Sequence, residues 1–160
     1  MPRVRHFDEK AVAFHVTTRT ANGAFYMASV AEKQALLLAL DFYRRRGDCA
    51  LYGYVIMANH VHIVVRPGPN SGLPRFVDGF KTWTSRHNTA KPAGTSLWER
   101  RYDDNAISTL AELRDVLQYI HNNPVRAKIV ATAQEYAWSS IHNYLADGQS
   151  MIEIDTPWTQ

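Results

Sequence analysis

Cysteine is almost missing from this chain. Cys49 is the only one in 160 residues, so no disulfide can form within the molecule, and a reducing cytoplasm is the simplest setting. Long hydrophobic runs are missing as well. No stretch approaches the roughly 18 apolar residues that span a bilayer, so no membrane partner is expected. The opening Met1-Pro2-Arg3-Val4-Arg5-His6 is not followed by the apolar core of a signal peptide, which again favours the cytoplasm. Repeats, low-complexity tracts and long linkers are lacking too. The expectation is one domain over residues 1–160, with a core of about 11–130 and a tail of about 131–160 packed on it. A strong charge of one sign is absent: 18 Lys and Arg against 15 Asp and Glu leave +3. That mild basicity permits a nucleic-acid partner without demanding one.

What is present is an ordered series of strand and helix patterns. Residues 11–18 alternate, with Val12, Phe14 and Val16 on one face and Ala13, His15 and Thr17 on the other. Asn22-Gly23 marks a turn. Ser29 and Glu32 fit a capping box, Leu36, Leu37, Leu40 and Tyr43 recur at helical spacing, and Gly47 is a natural stop. The one dense basic run, Arg44-Arg45-Arg46, falls in the last turn of that helix. Cations suit the helix dipole there, so its structural reading comes before a DNA-binding one. Residues 51–57 and 60–66 read as strands separated by Ala58-Asn59, an antiparallel hairpin. A second helix is predicted from about Pro74 to Asn88, carrying Phe76, Val77, Phe80 and Trp83. A bent fourth strand follows over Leu97–Ile107, then a third helix from about Thr109 to Asn122 that stops near Pro124. Strand, helix, strand, strand, helix, strand is the order of a ferredoxin-like α+β sandwich. It predicts an antiparallel sheet with two helices on one face and the third helix near the open face. The first and third strands would be central, with His15 beside the His60 strand.

The chemistry is concentrated in Asn59-His60-Val61-His62-Ile63-Val64-Val65. Side chains alternate along a strand, so His60, His62 and Val64 share one face while Val61, Ile63 and Val65 share the other. Two imidazoles on one face come within reach of a single metal ion. On the third helix, Leu110, Leu113, Leu117 and Ile120 form an apolar stripe, and Glu112, Asp115, Tyr119, Asn122 and Asn123 lie opposite. Asn123 is four residues beyond Tyr119 and shares its face. A phenol, with a pKa of about 10, is a poor nucleophile at neutral pH unless a metal polarises its target. Two imidazoles and an amide oxygen would leave open positions suited to Mg²⁺ or Mn²⁺.

Asn59-His60-Val61-His62, taken with Tyr119-Ile120-His121-Asn122-Asn123-Pro124-Val125-Arg126, resembles the HUH transposases with a single catalytic tyrosine. Within them it resembles the REP-associated tyrosine transposases. Further matches are His15-Val16-Thr17-Thr18-Arg19-Thr20, Phe80-Lys81, Trp98-Glu99-Arg100-Arg101-Tyr102-Asp103 and Trp138-Ser139-Ser140, so the likeness spans roughly residues 11 to 145. The resemblance implies that Tyr119 attacks a DNA phosphate, giving a 5′-phosphotyrosine and a free 3′-hydroxyl, with no need of ATP for rejoining. It implies His60, His62 and Asn123 as ligands of Mg²⁺ or Mn²⁺, and single-stranded DNA beside an imperfect hairpin as substrate. Many relatives have glutamine at the Asn123 position, proline at Ala58 and glutamine at Glu99.

Each residue also has a plainer reading. His60 and His62 would serve in a zinc site or as satisfied polar groups, and Asn123 as a helix C-cap. His15 would be a packed strand histidine, or else a DNA contact. Arg19, Lys81, Arg100, Arg101 and Arg126 are candidate phosphate contacts, each of which alone would be a solvated charge. Trp83 and Trp98 would stack on bases or pack in the body, and His121, toward the apolar side, is structural. Two rivals to the transposase reading follow: a DNA-hairpin-binding module without chemistry, and a metal-dependent hydrolase that uses activated water. Monomer and homodimer are both compatible with the chain.

Overall fold

Two hydrophobic periods meet in this molecule: two along the strands, 3.6 along the helices. The computed structural model describes residues 10–146, 148 and 150–158, and Met1–His6 lies outside them. Strands β1 (Ala13–Arg19), β2 (Cys49–Ile56), β3 (His60–Pro67) and β4 (Asp103–Ile107) form one antiparallel sheet in the order β2-β3-β1-β4. Helices α1 (Val30–Arg45) and α2 (Gly72–His87) are the crossovers, and α3 (Leu110–His121) follows β4. This is the expected ferredoxin-like arrangement, with β1 and β3 central. Among the described residues, no helix is long and apolar enough to cross a membrane.

One face of the sheet is closed. Val16 of β1 and Val61, Ile63 and Val65 of β3 share a core with Leu36, Leu37 and Leu40 of α1 and Phe76, Val77 and Phe80 of α2. Ser29 caps α1 as expected, its hydroxyl accepting from the Glu32 N–H at 3.2 Å. The capping box is not reciprocal, however. The Glu32 carboxylate turns away and accepts from the N–H and hydroxyl of Thr89, at 3.1 and 2.6 Å. A carboxylate that is only 4% exposed needs strong donors, and the turn after α2 supplies two, tying α1 to α2. Gly47 ends the helix at φ +84°, a conformation that favours glycine.

The other face is covered only in part. Leu113, Leu117 and Ile120 of α3 pack on Ala13, Val55, Val64 and Ile107, so α3 crosses the sheet from β4 to β2. Its closest approach is at Gly53, where a β-carbon would sit 2.5 Å from Leu117 Cδ2 and 3.2 Å from Ser140 Oγ. Leu110, predicted in the apolar stripe, is 44% exposed; it starts α3 beside the edge strand β4, where the sheet ends. The tail adds 3-10 turns at Ala133–Glu135 and Ser140–Tyr144. Tyr136 donates its hydroxyl to the Ile56 carbonyl at 2.5 Å, and Ile56 N–H donates to Trp138 O at 2.9 Å.

The fourth strand is shorter than expected. The β1–β4 ladder runs from Ala13–Ile107 to Thr17–Asp103, and the next pairing is an isolated bridge, Thr20–Trp98. Between these pairs β1 advances by three residues and its partner by five. The surplus residues loop out around Arg100 and Arg101, which interrupts the ladder. At the end of α3 the chain turns again into α4 (Asn123–Arg126). Pro124 falls in its first turn, where a missing N–H costs nothing.

Candidate active site

β1 and β3 pair so that Thr17 stands opposite His62 and Arg19 opposite His60. The polar ends of the two central strands therefore coincide on the α3 face. The His60 and His62 rings are 5.1 Å apart at 89°. His60 Nδ1 lies 2.8 Å from Asn59 Oδ1, and its Nε2 lies 3.3 Å from Asn123 Oδ1. A neutral imidazole has one N–H, so only one of these contacts is a hydrogen bond. The shorter contact puts the proton on Nδ1. The Nε2 lone pair then faces a second acceptor, the amide oxygen of Asn123. Two acceptors held face to face are what a cation between them would relieve, so the residues fit a divalent ion. The donor set is two imidazoles and an amide; among the described residues no three His, Cys, Asp or Glu side chains group to hold a metal.

His62 is 6% exposed, and its Nδ1 meets His15 Nε2 at 3.0 Å and Thr17 Oγ1 at 3.1 Å. Burial, reinforced by the charges that His15 and His60 would carry in acid and by those of Arg19 and Arg126, pushes its pKa down to about 3. Burial lowers His60 as well, against the contact with Asn123. It also lowers His15, against the charge of Asp103. At neutral pH all three imidazoles are therefore neutral, with lone pairs available for ligation.

α3 brings the tyrosine to this pocket. Thr109 caps the helix, accepting from the Glu112 N–H at 3.1 Å. Its buried stripe turns Tyr119 toward the histidines while leaving it 52% exposed. The Tyr119 ring lies 6.2 Å from His62 and 6.3 Å from His15. Asn122, not Asn123, caps α3, which frees the Asn123 side chain to face His60. Arg126 donates Nη2–H to the Tyr119 carbonyl at 2.8 Å, and its guanidinium carbon sits 4.1 Å from the tyrosine ring centroid. His121 points the other way, buried, with Nε2 at 2.8 Å from Ser140 Oγ. Tyr119, Asn123 and the His60 and His62 pair thus meet within one chain.

The candidate phosphate contacts are placed unevenly. His15 and Arg126 belong to the pocket. Arg19 forms an ion pair with Asp103 at 2.6 Å, on the rim above His60. Lys81 lies outside the pocket and donates to the carbonyls of Glu99 and Arg100 at 2.8 and 3.4 Å, bracing the bulge. Arg100 and Arg101 are exposed on that bulge. Trp98 is buried and donates to Thr84 Oγ1 at 2.9 Å, so it packs; Trp83 stacks on His87. Sequence reasoning assigned no role to Asn59 or Thr17. Strand parity puts Thr17 on the His15 face, but its contact with His62 depends on cross-strand register, which a single sequence does not display.

A family model described as "Transposase IS200 like" matches residues 10–123. Among solved structures, the chain is similar to a REP-associated tyrosine transposase bound to a REP hairpin. The TM-score is 0.74 and the identity 17%, over 96% of this chain and 100% of that one. It is also similar to a protein of Deinococcus radiodurans R1 described as a candidate transposase. There the TM-score is 0.51 and the identity 20%, over 76% of this chain and 97% of that one. No curated protein matches the sequence.

Proposed function

The chain belongs to the IS200-like transposase family, and from that premise we propose that it nicks and rejoins single-stranded DNA with Tyr119 as the nucleophile. The observation that carries the reading is the meeting of Tyr119 and Asn123 with the His60 and His62 pair on one sheet face. The phenol oxygen forms a bond to a backbone phosphorus as the bond from phosphorus to the 3′ oxygen breaks. The products are a 5′-phosphotyrosine and a 3′-hydroxyl that ends with the phenol proton. Attack by a 3′-hydroxyl on the phosphotyrosine reverses the step, so the linkage energy is kept. His60, His62 and Asn123 would hold Mg²⁺ or Mn²⁺, which supplies Lewis-acid polarisation of the phosphate. Arg126 holds the tyrosine backbone and covers its ring, and Arg19 stands at the rim where a strand would enter. The favoured substrate is a single strand carrying an imperfect hairpin, since a relative of the same fold is bound to a REP hairpin.

The test is incubation with hairpin-bearing single-stranded DNA and Mn²⁺, followed by denaturing electrophoresis. A covalent protein–DNA adduct is expected, lost by about 10³-fold or more in Tyr119→Phe. Cleavage that survives Tyr119→Phe would replace this reading with a hydrolase using water. Hairpin binding without cleavage would replace it with a binding module.

A further inference from the structure

We propose that His15 is a positioning residue that fixes the proton of His62 on Nδ1, so that Nε2 is left as a lone pair facing the pocket. The inference rests on the reading of His60 and His62 as metal ligands.

Three atoms meet beneath the His pair: His15 Nε2, Thr17 Oγ1 and His62 Nδ1, separated by 3.0, 3.1 and 3.4 Å. Register explains the meeting. Thr17 is directly opposite His62, and His15, two residues back on the same face, is its diagonal neighbour. The His15 and His62 rings lie 5.2 Å apart at 32°. Two proton arrangements satisfy these distances. In the first, His62 Nδ1–H donates to His15 Nε2 and to Thr17 Oγ1. In the second, His15 Nε2–H donates to His62 Nδ1, which forces the proton of His62 onto Nε2. The second arrangement would aim an N–H at the pocket that His60 Nε2 and Asn123 Oδ1 line, and it would leave His62 unable to ligate. The first gives both members of the pair the same tautomer: Asn59 holds the proton of His60 on Nδ1, and His15 holds that of His62 there too. Ligating histidines generally keep their second N–H on such a partner, which orients the ring and fixes the tautomer. His15 itself must then carry its proton on Nδ1, and the negative charge of Asp103 favours a proton on that ring.

The experiment is nitrogen-15 NMR of the metal-free protein labelled in histidine, with Mn²⁺ titration of the same samples by calorimetry. His62 is expected to show a pyrrole-type Nδ1 and a pyridine-type Nε2. His15→Leu should mix or reverse the two tautomers and weaken Mn²⁺ binding about tenfold. His15→Gln, whose amide oxygen still accepts, should restore the tautomer and most of the affinity, a recovery that packing alone would not produce. A wild-type His62 protonated on Nε2, or an unchanged tautomer in His15→Leu, overturns the proposal without touching the tyrosine chemistry. The expected tautomer in a protein that binds no Mn²⁺ would instead uphold the His15 assignment and sink the metal reading.

Discussion

β3 presents Val61, Ile63 and Val65 to the α1 and α2 side of the sheet and His60, His62 and Val64 to the α3 side. On the first side two helices with matched apolar stripes close a continuous core. On the second a single helix crosses obliquely. It buries Val64, Ala13 and Ile107 and leaves the His60 end of the strands for polar side chains. Apolar packing is concentrated where two helices close the face, and the polar candidate site lies where one helix leaves a gap. The two faces should therefore respond differently to truncation, acid and crowding.

The largest difference is expected from truncation. Phe76, 1% exposed between α1, α2 and the sheet, should cost about 3–5 kcal/mol as Phe76→Ala. Tyr119→Phe on the open face should stay within about 0.5 kcal/mol while losing the covalent adduct. Urea denaturation of both variants measures the contrast. Equal losses would mean that the open face carries as much of the core as the closed one.

Acid should act through the open face. Among the described residues the buried histidines are His62 and His121, both on the α3 side. Burial lowers His62 to about 3 and His121 to about 4. The unfolded chain binds protons on these groups below about pH 6.5, whereas the folded chain does not until its own lower pKa. The share of stability due to these two groups is therefore level above about pH 6.5 and falls as pH drops, toward 4 for His121 and toward 3 for His62, by up to about 1.4 kcal/mol per pH unit for each imidazole. Comparing His121→Gln with wild type by thermal melts at several pH values isolates one share. A variant whose pH slope equals that of wild type would remove His121 from the account.

Crowding the α3 contact should have a smaller effect. Gly53→Ala places a methyl 2.5 Å from Leu117 Cδ2, an overpacking expected to cost about 1–2 kcal/mol. Since α3 also carries Tyr119, adduct formation should fall with it. Leu117→Ala in the same chain removes the clashing atom, so the two changes should couple favourably in a double-mutant cycle. Strict additivity would show that α3 does not rest on Gly53.

Much of this architecture is legible in the sequence, because parity and helical spacing are local. The alternation through His60 to Val65 assigns each side chain to its face, and the element order carries the sheet order. Ser29, Gly47 and Pro124 mark boundaries through backbone chemistry that a single residue imposes. What escapes sequence reading depends on distant partners. Glu32 turns to Thr89, Arg19 finds Asp103, and Lys81 braces the bulge; each choice is settled by folded proximity, not by spacing along the chain. The shortened β4 escapes for a related reason, since a bulge shows only as a mismatch in count between two strands. Gly53 carries no local turn signal at all; its reason is Leu117, 64 positions away.

The smallest effect, and the one that sharpens the role of the gap most, belongs to Arg126. Its guanidinium covers the Tyr119 ring at 4.1 Å and donates to the tyrosine carbonyl. At a half-exposed ring such a contact contributes about 0.5–1 kcal/mol, so Arg126→Ala should slow adduct formation roughly two-fold to five-fold at saturating DNA. Arg126→Lys keeps the charge but loses the planar fork that stacks and donates together, and should recover only part of the rate. If Arg126 acts by holding the nucleophile, the loss appears in the single-turnover rate and persists at high salt. If it acts as a phosphate contact, the loss appears in the DNA affinity, which then falls less steeply with salt than in wild type by about one counterion. A rate that stays at the wild-type value while affinity drops would move Arg126 out of the tyrosine's support and into the DNA track.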